Sequence, residues 1–496
     1  MSLARRATLV ACVVAASLTW KATASAFGGV YFTEDDRSVR VTSHRLAVAL
    51  GRGQTVMWDQ PAWTGNPSQV AYIALVRPNA SVSSTADAWL TALAASSQSY
   101  TYTPPSFGPA AGCMVAGCAR DPAFGEGPDR FAVTRLAVAA PLEEARLDTA
   151  DAALAWLADR GFVTSSSEEG DIRAAAQSGY QMVAMRYEPP CGARTIRPVR
   201  VESPATNQIP TRLMKAGVSN QLALTLFVLG EQRVAPSPLT AVEIDVEQLT
   251  WDDRKNQSNY DELVAKALGE ASGRSVLTEY ADVPARSTGS KAGGPASFSE
   301  VYPALCGKDA PPARMDIIPP ETVSASTCRR ATPRVDAGDA GDGGEGDADL
   351  DGGADAEADA DLDGGAPDAD LTDAERPDAR VTTDAAVPPP RDDCPSPDDL
   401  ALALRGLDLD QIFFTRMRGS LSTNVLAAQD LTLVPAPGGV VSNGVQAVRF
   451  ADDRDNTPNR SAACGSARVT SRERELGGLA IVAGVLFFLG RQRRRK

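Results

Sequence analysis

Histidine is almost missing from this 496-residue chain, which holds a single one, His44. One imidazole excludes a multi-histidine metal centre, and any serine–histidine or cysteine–histidine mechanism has to run through His44. That residue lies in RVTSHRLAVAL, whose alternation reads as a half-buried strand, and no G-x-S-x-G turn stands near it to supply a nucleophile. A packing role is the favoured reading. Lysine is scarce as well, and Lys215 and Lys266, the candidates for serine–lysine chemistry, sit outside any recognisable nucleophile motif. Basic charge is nowhere in large surplus. The window 336–375 holds thirteen Asp and three Glu with no Lys or Arg, so it carries −16 against −14 for the whole chain and leaves the remainder near +2. That balance does not point to nucleic acid as a partner. No catalytic constellation and no cofactor motif is recognisable.

What is present begins with targeting. MSLARRATLVACVVAASLTWKATASAF combines Arg5 and Arg6, an apolar run from Ala7 to Trp20 and the small residues Ala24-Ser25-Ala26. This is the order of a secretory signal peptide, residues 1–26, cleaved after Ala26. Leu9-Val10-Ala11-Cys12 also has the form of a lipoprotein box, but the apolar run continues past Cys12. At the other end, LGGLAIVAGVLFFLG at 476–490 precedes Arg491-Gln492-Arg493-Arg494-Arg495-Lys496. A fifteen-residue helix reaches only about 22 Å against a hydrocarbon core of roughly 30 Å. The tail 464–496 therefore reads either as a short single-pass anchor, making the membrane a partner through the C-terminal helix, or as a sorting signal in which Cys464 is the processing or lipidation candidate. Either places the protein in the cell envelope.

Cysteine usage agrees with export. Without the signal, seven cysteines remain, and setting Cys464 aside leaves Cys113, Cys118, Cys191, Cys306, Cys328 and Cys394 as disulfide candidates with fifteen possible connectivities. Zinc at Cys113, Cys118 and Cys191 is disfavoured for want of a second close pair or a nearby histidine.

Residues 27–300 read as an α+β ectodomain. Short apolar or alternating runs mark strands at 30–32, 39–48, 55–58, 70–76, 131–139, 181–187, 196–201, 222–229 and 239–246. Helices follow a Ser84 cap, open at Asp148 or Thr149, and run from Tyr260 to Ala271. The expected architecture is a mixed β-sheet with helices packed on one face. MWDQPAWTGNP reads as a loop carrying Trp63, a residue able to stack on a sugar ring or anchor a partner, though folding back onto the core is the commoner outcome. Glu168, Glu169 and Asp171 follow a serine run and are read as a solvated helix start rather than an acid–base pair. From 301 to 397 the composition turns to Pro, Gly and Asp, giving a disordered acidic linker or insertion. The stretch 398–463 then supplies a short helix and strands that are too few for a core of their own, and so complete the first sheet.

Inside the insertion, DADLDGG occurs twice. The second copy offers Asp359, Asp361, Asp363 and Asp370 at calcium-loop spacing with Gly364 at the turn, whereas the first has Ala358 at the twelfth place. The flanks lack apolar positions at helical spacing, so a tether is favoured over a calcium site.

Several stretches, in order, carry a resemblance: FGGVYF, DTADAALAWLADRGF, IRPVRVESPATNQIPTRLMKAGVSNQLALTLFVLGEQRV, NYDELVAKALGEASGRSVLTEYA and FFTRMRGSLSTNVLAAQDLTLVPA. Together they resemble the bacterial family called domain of unknown function 2330, over 26–282 and again over 411–436. The resemblance implies an exported protein, often C-terminally anchored, in which the late strands belong to the first domain. It implies no activity. The overall expectation is a non-enzymatic envelope protein binding a protein or glycan, with an envelope hydrolase or peptidase and a calcium-responsive spacer as alternatives. Calcium titration of a 336–376 peptide should show no saturable binding below about 10 mM, and a saturable isotherm there would overturn the tether.

Overall fold

The computed structural model describes residues 27–104, 131–252, 254–270, 273–283, 297–312, 315–318, 394, 398–408, 410–428 and 430–450. Its central hairpin pairs Arg40–Gly51 with Gln54–Thr64, rich in the β-branched and aromatic residues that suit a pleated surface. The connection is Arg52-Gly53 alone, and Gly53 has φ +88°, a conformation that side chains resist. Successive residues then point to opposite faces: Leu46, Val48 and Met57 enter one core, while Ala47, Ala49, Val56 and Trp58 enter another. A strand apolar on both faces needs a layer on each side.

Those layers are a second sheet and a set of helices. The large sheet runs, edge to edge, Thr240–Val242, Arg274–Asp282, Phe413–Ser422, Val218–Gly230, Arg40–Gly51, Gln54–Thr64, Thr195–Ile196 and Val138–Ala139, with Val199–Pro204 and Ser81–Ser84 branching from it. It is mixed, since Val218–Gly230 lies parallel to Arg40–Gly51 and antiparallel to Phe413–Ser422. The small sheet, in the order Gly28–Phe32, Val70–Val76, Gln181–Tyr187, Pro141–Leu147, is antiparallel throughout. Leu46, Val48, Tyr72, Met185 and Leu224 fill the space between the sheets. On the outer face of the large sheet, Ala88–Ser96, Phe298–Leu305 and Asp399–Ala403 close over Trp58, and Trp89 meets Trp58 at a tilt and Phe298 and Tyr302 edge-to-face, at centroid distances of 5.6–5.7 Å. On the outer face of the small sheet, Ala150–Ala158 and Ser166–Gln177 bury Trp156 and Ile172. The fold is α+β, four layers deep, and each sheet carries helices on one face as expected. The addition is the second sheet on the other face.

Helix signals fall where side chains can satisfy the first N–H groups. The Thr149 hydroxyl accepts from Ala152 N at 3.1 Å, and Ser165 with Glu168 forms a reciprocal capping box. The folded part also extends past 300, into the expected linker. Ser297 and Glu300 cap Phe298–Leu305, and Met315–Ile318 pairs with Phe131–Thr134. The last helix residue leads into Cys306, which is bonded to Cys394 across 88 residues with a Cα separation of 5.7 Å. Cys191 is disulfide-bonded as well.

Three expectations change. Trp63 belongs to a strand, is 2 % exposed and packs edge-on against Phe32, so it is no loop anchor. Proline at 61 and glycine at 65 had suggested a turn, but Pro61 pairs with His44 inside the ladder, next to a bulge at Thr42, and only Gly65 lies beyond the strand's end. The membrane as a partner through a C-terminal helix is corrected too: among the described residues no helix is long and apolar enough to cross a membrane, and 476–490 lies outside them. The linker, thirdly, does not begin at 301.

A protease site placed within 336–375 should give a nicked protein that stays one species, because Cys306–Cys394 joins the fragments and Phe413–Ser422 is held between two strands of the first fragment. Reduction without denaturant should leave the fragments co-eluting in size-exclusion chromatography. Separation at that step would show that the late strand does not hold the sheet together.

Candidate functional site

His44 and Asp59 face each other across the central hairpin. Asp59 Oδ1 lies 2.8 Å from His44 Nδ1, and Asp59 Oδ2 accepts from the Tyr72 hydroxyl at 2.6 Å and from Gly28 N at 3.4 Å. A carboxylate only accepts, so Nδ1 carries the proton, and Nε2 is buried without a partner. This is two-thirds of a hydrolase triad, yet His44, Asp59 and Tyr72 are 1–2 % exposed, within the core between the sheets, and line neither of the clefts described below. Burial, then the neighbouring Asp59 charge, pushes the Tyr72 phenol well up, which keeps it a donor. The trio joins a strand of the small sheet to two of the large one.

A second buried carboxylate, Asp399, has no exposure. Its Oδ1 accepts from Trp58 Nε1 and Arg200 Nη1, each at 2.9 Å, and its Oδ2 from the Thr85 hydroxyl. Burial pushes this carboxyl up, and the three donors pull it back. Glu279 is held similarly, between Arg416 Nε at 3.0 Å and Arg418 Nε at 3.1 Å, with the Tyr260 hydroxyl at 3.4 Å. Both clusters connect elements and offer no open position to a substrate.

Serine–lysine geometry does occur. Lys215 Nζ lies 2.9 Å from Ser167 Oγ and 2.6 Å from Asp171 Oδ2. Nζ donates to Ser167 Oγ and forms an ion pair with Asp171, the reverse of the acceptor role of a general base. Glu168 is taken up by the capping box, so the carboxylates of this helix start act as caps and ion-pair partners. Lys266 lies on Tyr260–Glu270 with no nucleophile paired to it among the described residues.

Two depressions among the described residues do give access. The larger, about 530 Å³, is an open cleft between Gly28–Phe32, the turn 33–40, the start of Ser166–Gln177 and the entry of Val218–Gly230. Asp36 shapes it by accepting from Thr33 Oγ1 at 3.0 Å and from Ser68 N and Oγ at 2.9 Å. Gly217, with φ +73°, forms part of its wall, where a Cβ would stand 3.0 Å from Phe32 and Val41. Arg40 donates to the Val39 carbonyl at 2.7 Å, and Val163 is 44 % exposed. The smaller depression, about 220 Å³, lies at the far end of Val70–Val76 beside Arg77, Arg212 and Asp430.

The family model described as "Uncharacterized protein conserved in bacteria (DUF2330)" matches residues 22–284, more than half of the chain. The chain belongs to the DUF2330 family. No curated protein and no solved structure matches it. The match takes in both depressions apart from Asp430, together with His44, Asp59 and the Ser167–Lys215 pair, whereas Asp399 and the strand Phe413–Ser422 follow it. The calcium candidates Asp359, Asp361, Asp363 and Asp370 lie outside the described residues of this DUF2330 member, as do Cys113, Cys118, Cys328 and Cys464. Sequence reasoning weighed His44 and Lys215 but found neither Asp59 nor Asp399 as their kind, because a carboxylate inside an apolar strand carries no motif.

Two measurements follow. Arg200→Ala leaves Asp399 without its cation in an apolar core, and should lower unfolding free energy by about 3–5 kcal/mol in denaturant titration; a loss below about 1 kcal/mol would show that Asp399 is not a keystone. Burial pushes Tyr100 from 10.0 up to about 12, and it raises Tyr31, Tyr72, Tyr187 and Tyr302 as well. A phenol raised in the folded state leaves stability intact below pH 10 and removes it as pH climbs through the folded-state value. Tyrosinate absorbance should therefore rise together with loss of circular dichroism, and full titration near pH 10 in a protein that stays folded would contradict the burial.

Proposed function

We propose that this DUF2330 member is an exported protein of the bacterial cell envelope that binds another protein and catalyses no reaction, with the 530 Å³ cleft as its contact. The observation that carries this reading is the cleft's lining: both signs of charge, from Asp36, Glu168, Arg37 and Arg40, around apolar walls with Val163 exposed at 44 %. Charge complementarity around an apolar centre suits a protein surface. A glycan is less well served, since Trp63 is buried and no aromatic stands among the exposed large apolar side chains of the described residues. Export is supported by the signal-like segment 1–26 and by the Cys306–Cys394 disulfide, a bond of oxidising compartments.

The hydrolase alternative rests on the 2.9 Å Ser167–Lys215 contact. A photo-crosslinking residue at Val163, in the producing bacterium, should give one discrete protein adduct that Arg40→Glu abolishes, while a crosslinker at exposed Ile318, outside the cleft, gives none. Equal adducts from both positions would remove the cleft from the reading. Labelling by a serine-directed probe that disappears in Lys215→Ala would replace it with the hydrolase.

A further inference from the structure

The smaller depression is built differently from the cleft, and it holds a cation that the fold does not use. Arg77 and Tyr180 flank the strand pair in which Gln181 faces Val76, which brings the guanidinium to 4.0 Å above the Tyr180 ring. The same guanidinium donates to the Ser178 carbonyl, at the end of Ser166–Gln177, where a positive charge meets the negative pole of the helix. Arg77 is thus held in place by the structure. Across the depression, Asp430 accepts from Thr211 N and from the Tyr180 hydroxyl; burial pushes its carboxyl up, and Arg212 and Arg77 push it back. Arg212 opens the short helical turn Arg212–Lys215 and is half-buried, yet it makes no hydrogen bond or ion pair with any described residue. Leu75, Ala175 and Pro210 supply apolar walls to a volume of about 220 Å³.

A half-buried guanidinium without a hydrogen-bonding partner, set in an apolar cup, is matched by a planar anion that can take two parallel N–H bonds. The two arginines and Asp430 leave one net positive charge, which fits a monoanion and opposes a dianion. The volume is below the roughly 300–1,000 Å³ of sites for drug-sized ligands, so the occupant is small. We propose that the depression bounded by Arg77, Tyr180, Arg212 and Asp430 is a binding site for a small monocarboxylate, its carboxylate seated on Arg212. An amino acid and a simple organic acid share that chemistry. The first adds an ammonium group, for which Asp430 is the available acceptor.

The test uses the purified full-length protein, titrated at constant ionic strength with acetate, glycine and inorganic phosphate, with binding read by calorimetry and by NMR shifts of arginine Nε–H groups. Acetate or glycine should saturate, and Arg212→Gln should weaken the binding by about tenfold or more, the scale of one charge-assisted pair. Arg212→Lys keeps the charge without the fork and should fall between, and Arg52→Gln, at the exposed end of the central hairpin and outside both depressions, should leave the affinity unchanged. Tighter glycine than acetate assigns the amino-acid class, and the reverse assigns the simple acid. Non-saturating curves, equal affinity in wild type and Arg212→Gln with matched melting temperatures, or phosphate bound more tightly than either carboxylate would each overturn the proposal.

Discussion

An ionised carboxylate with no solvent exposure has to be given its donors by the protein, and Asp399 imposes that requirement on the whole fold. Its donors come from a central strand (Trp58), from the segment before the first helix (Thr85) and from a strand that pairs with the central hairpin (Arg200). Asp399 itself lies beyond the acidic insertion. Its own N–H donates to the Tyr302 hydroxyl at 3.3 Å, four residues before the disulfide at Cys306. Without the late segment, Trp58 Nε1 loses the carboxylate that accepts from it, and Arg200 keeps only its other contacts, Glu202 among them. The late segment is therefore as much part of the core as the early one, and Phe413–Ser422, between two earlier strands, extends the same dependence through the sheet.

The inter-sheet core meets a similar requirement at Asp59. Gly28, His44 and Tyr72 reach it from three strands, two in the small sheet and one in the large. Apolar packing alone would let the sheets slide over one another at little cost, whereas hydrogen bonds from both sheets to a single carboxylate allow one registry. Buried polar residues that look catalytic in isolation are better understood here as devices that fix geometry. The residues at the accessible depressions, Arg40, Val163 and Arg212, are by contrast not needed to complete any core cluster.

Periodicity in the sequence led directly to the strands 70–76 and 181–187, whose bounds match those observed, and to the helices capped at Thr149 and begun at Tyr260. These elements carry their own signals: continuous apolar runs, caps and stops. Phe298–Leu305 was hidden because it follows GSKAGGP and contains Pro303, features of a linker, and its stability comes from Trp89 and Phe414, contributed by distant segments. The segment around Trp63 was misread as a loop because Pro61 and Gly65 are turn formers locally, while the core packing favoured for Trp63 is realised through a tertiary edge contact with Phe32. The two depressions were illegible for the same reason. Arg77, Arg212 and Asp430 are separated by more than 100 residues at each step, and only the stacking of a helix end, a strand end and a short turn brings them together.

That distribution bears on how such a protein acquires a function. The clusters around Asp59, Asp399 and Glu279 interlock several elements, and at Asp399 the loss of Arg200 leaves a buried carboxylate without its cation, at a cost comparable with much of a domain's net stability. Two arginines at the depressions carry no such penalty, since Arg40 reaches only backbone carbonyls and Arg212 makes no hydrogen bond or ion pair with any described residue. Arg40 and Arg212 can vary without unfolding the four layers, whereas Asp36, Gly217 and Asp430 beside them are tied to the fold by hydrogen bonds or backbone conformation. A rigid sandwich with its polar networks sealed inside and its uncommitted charges at the rim is a scaffold on which recognition can change while the fold stays constant.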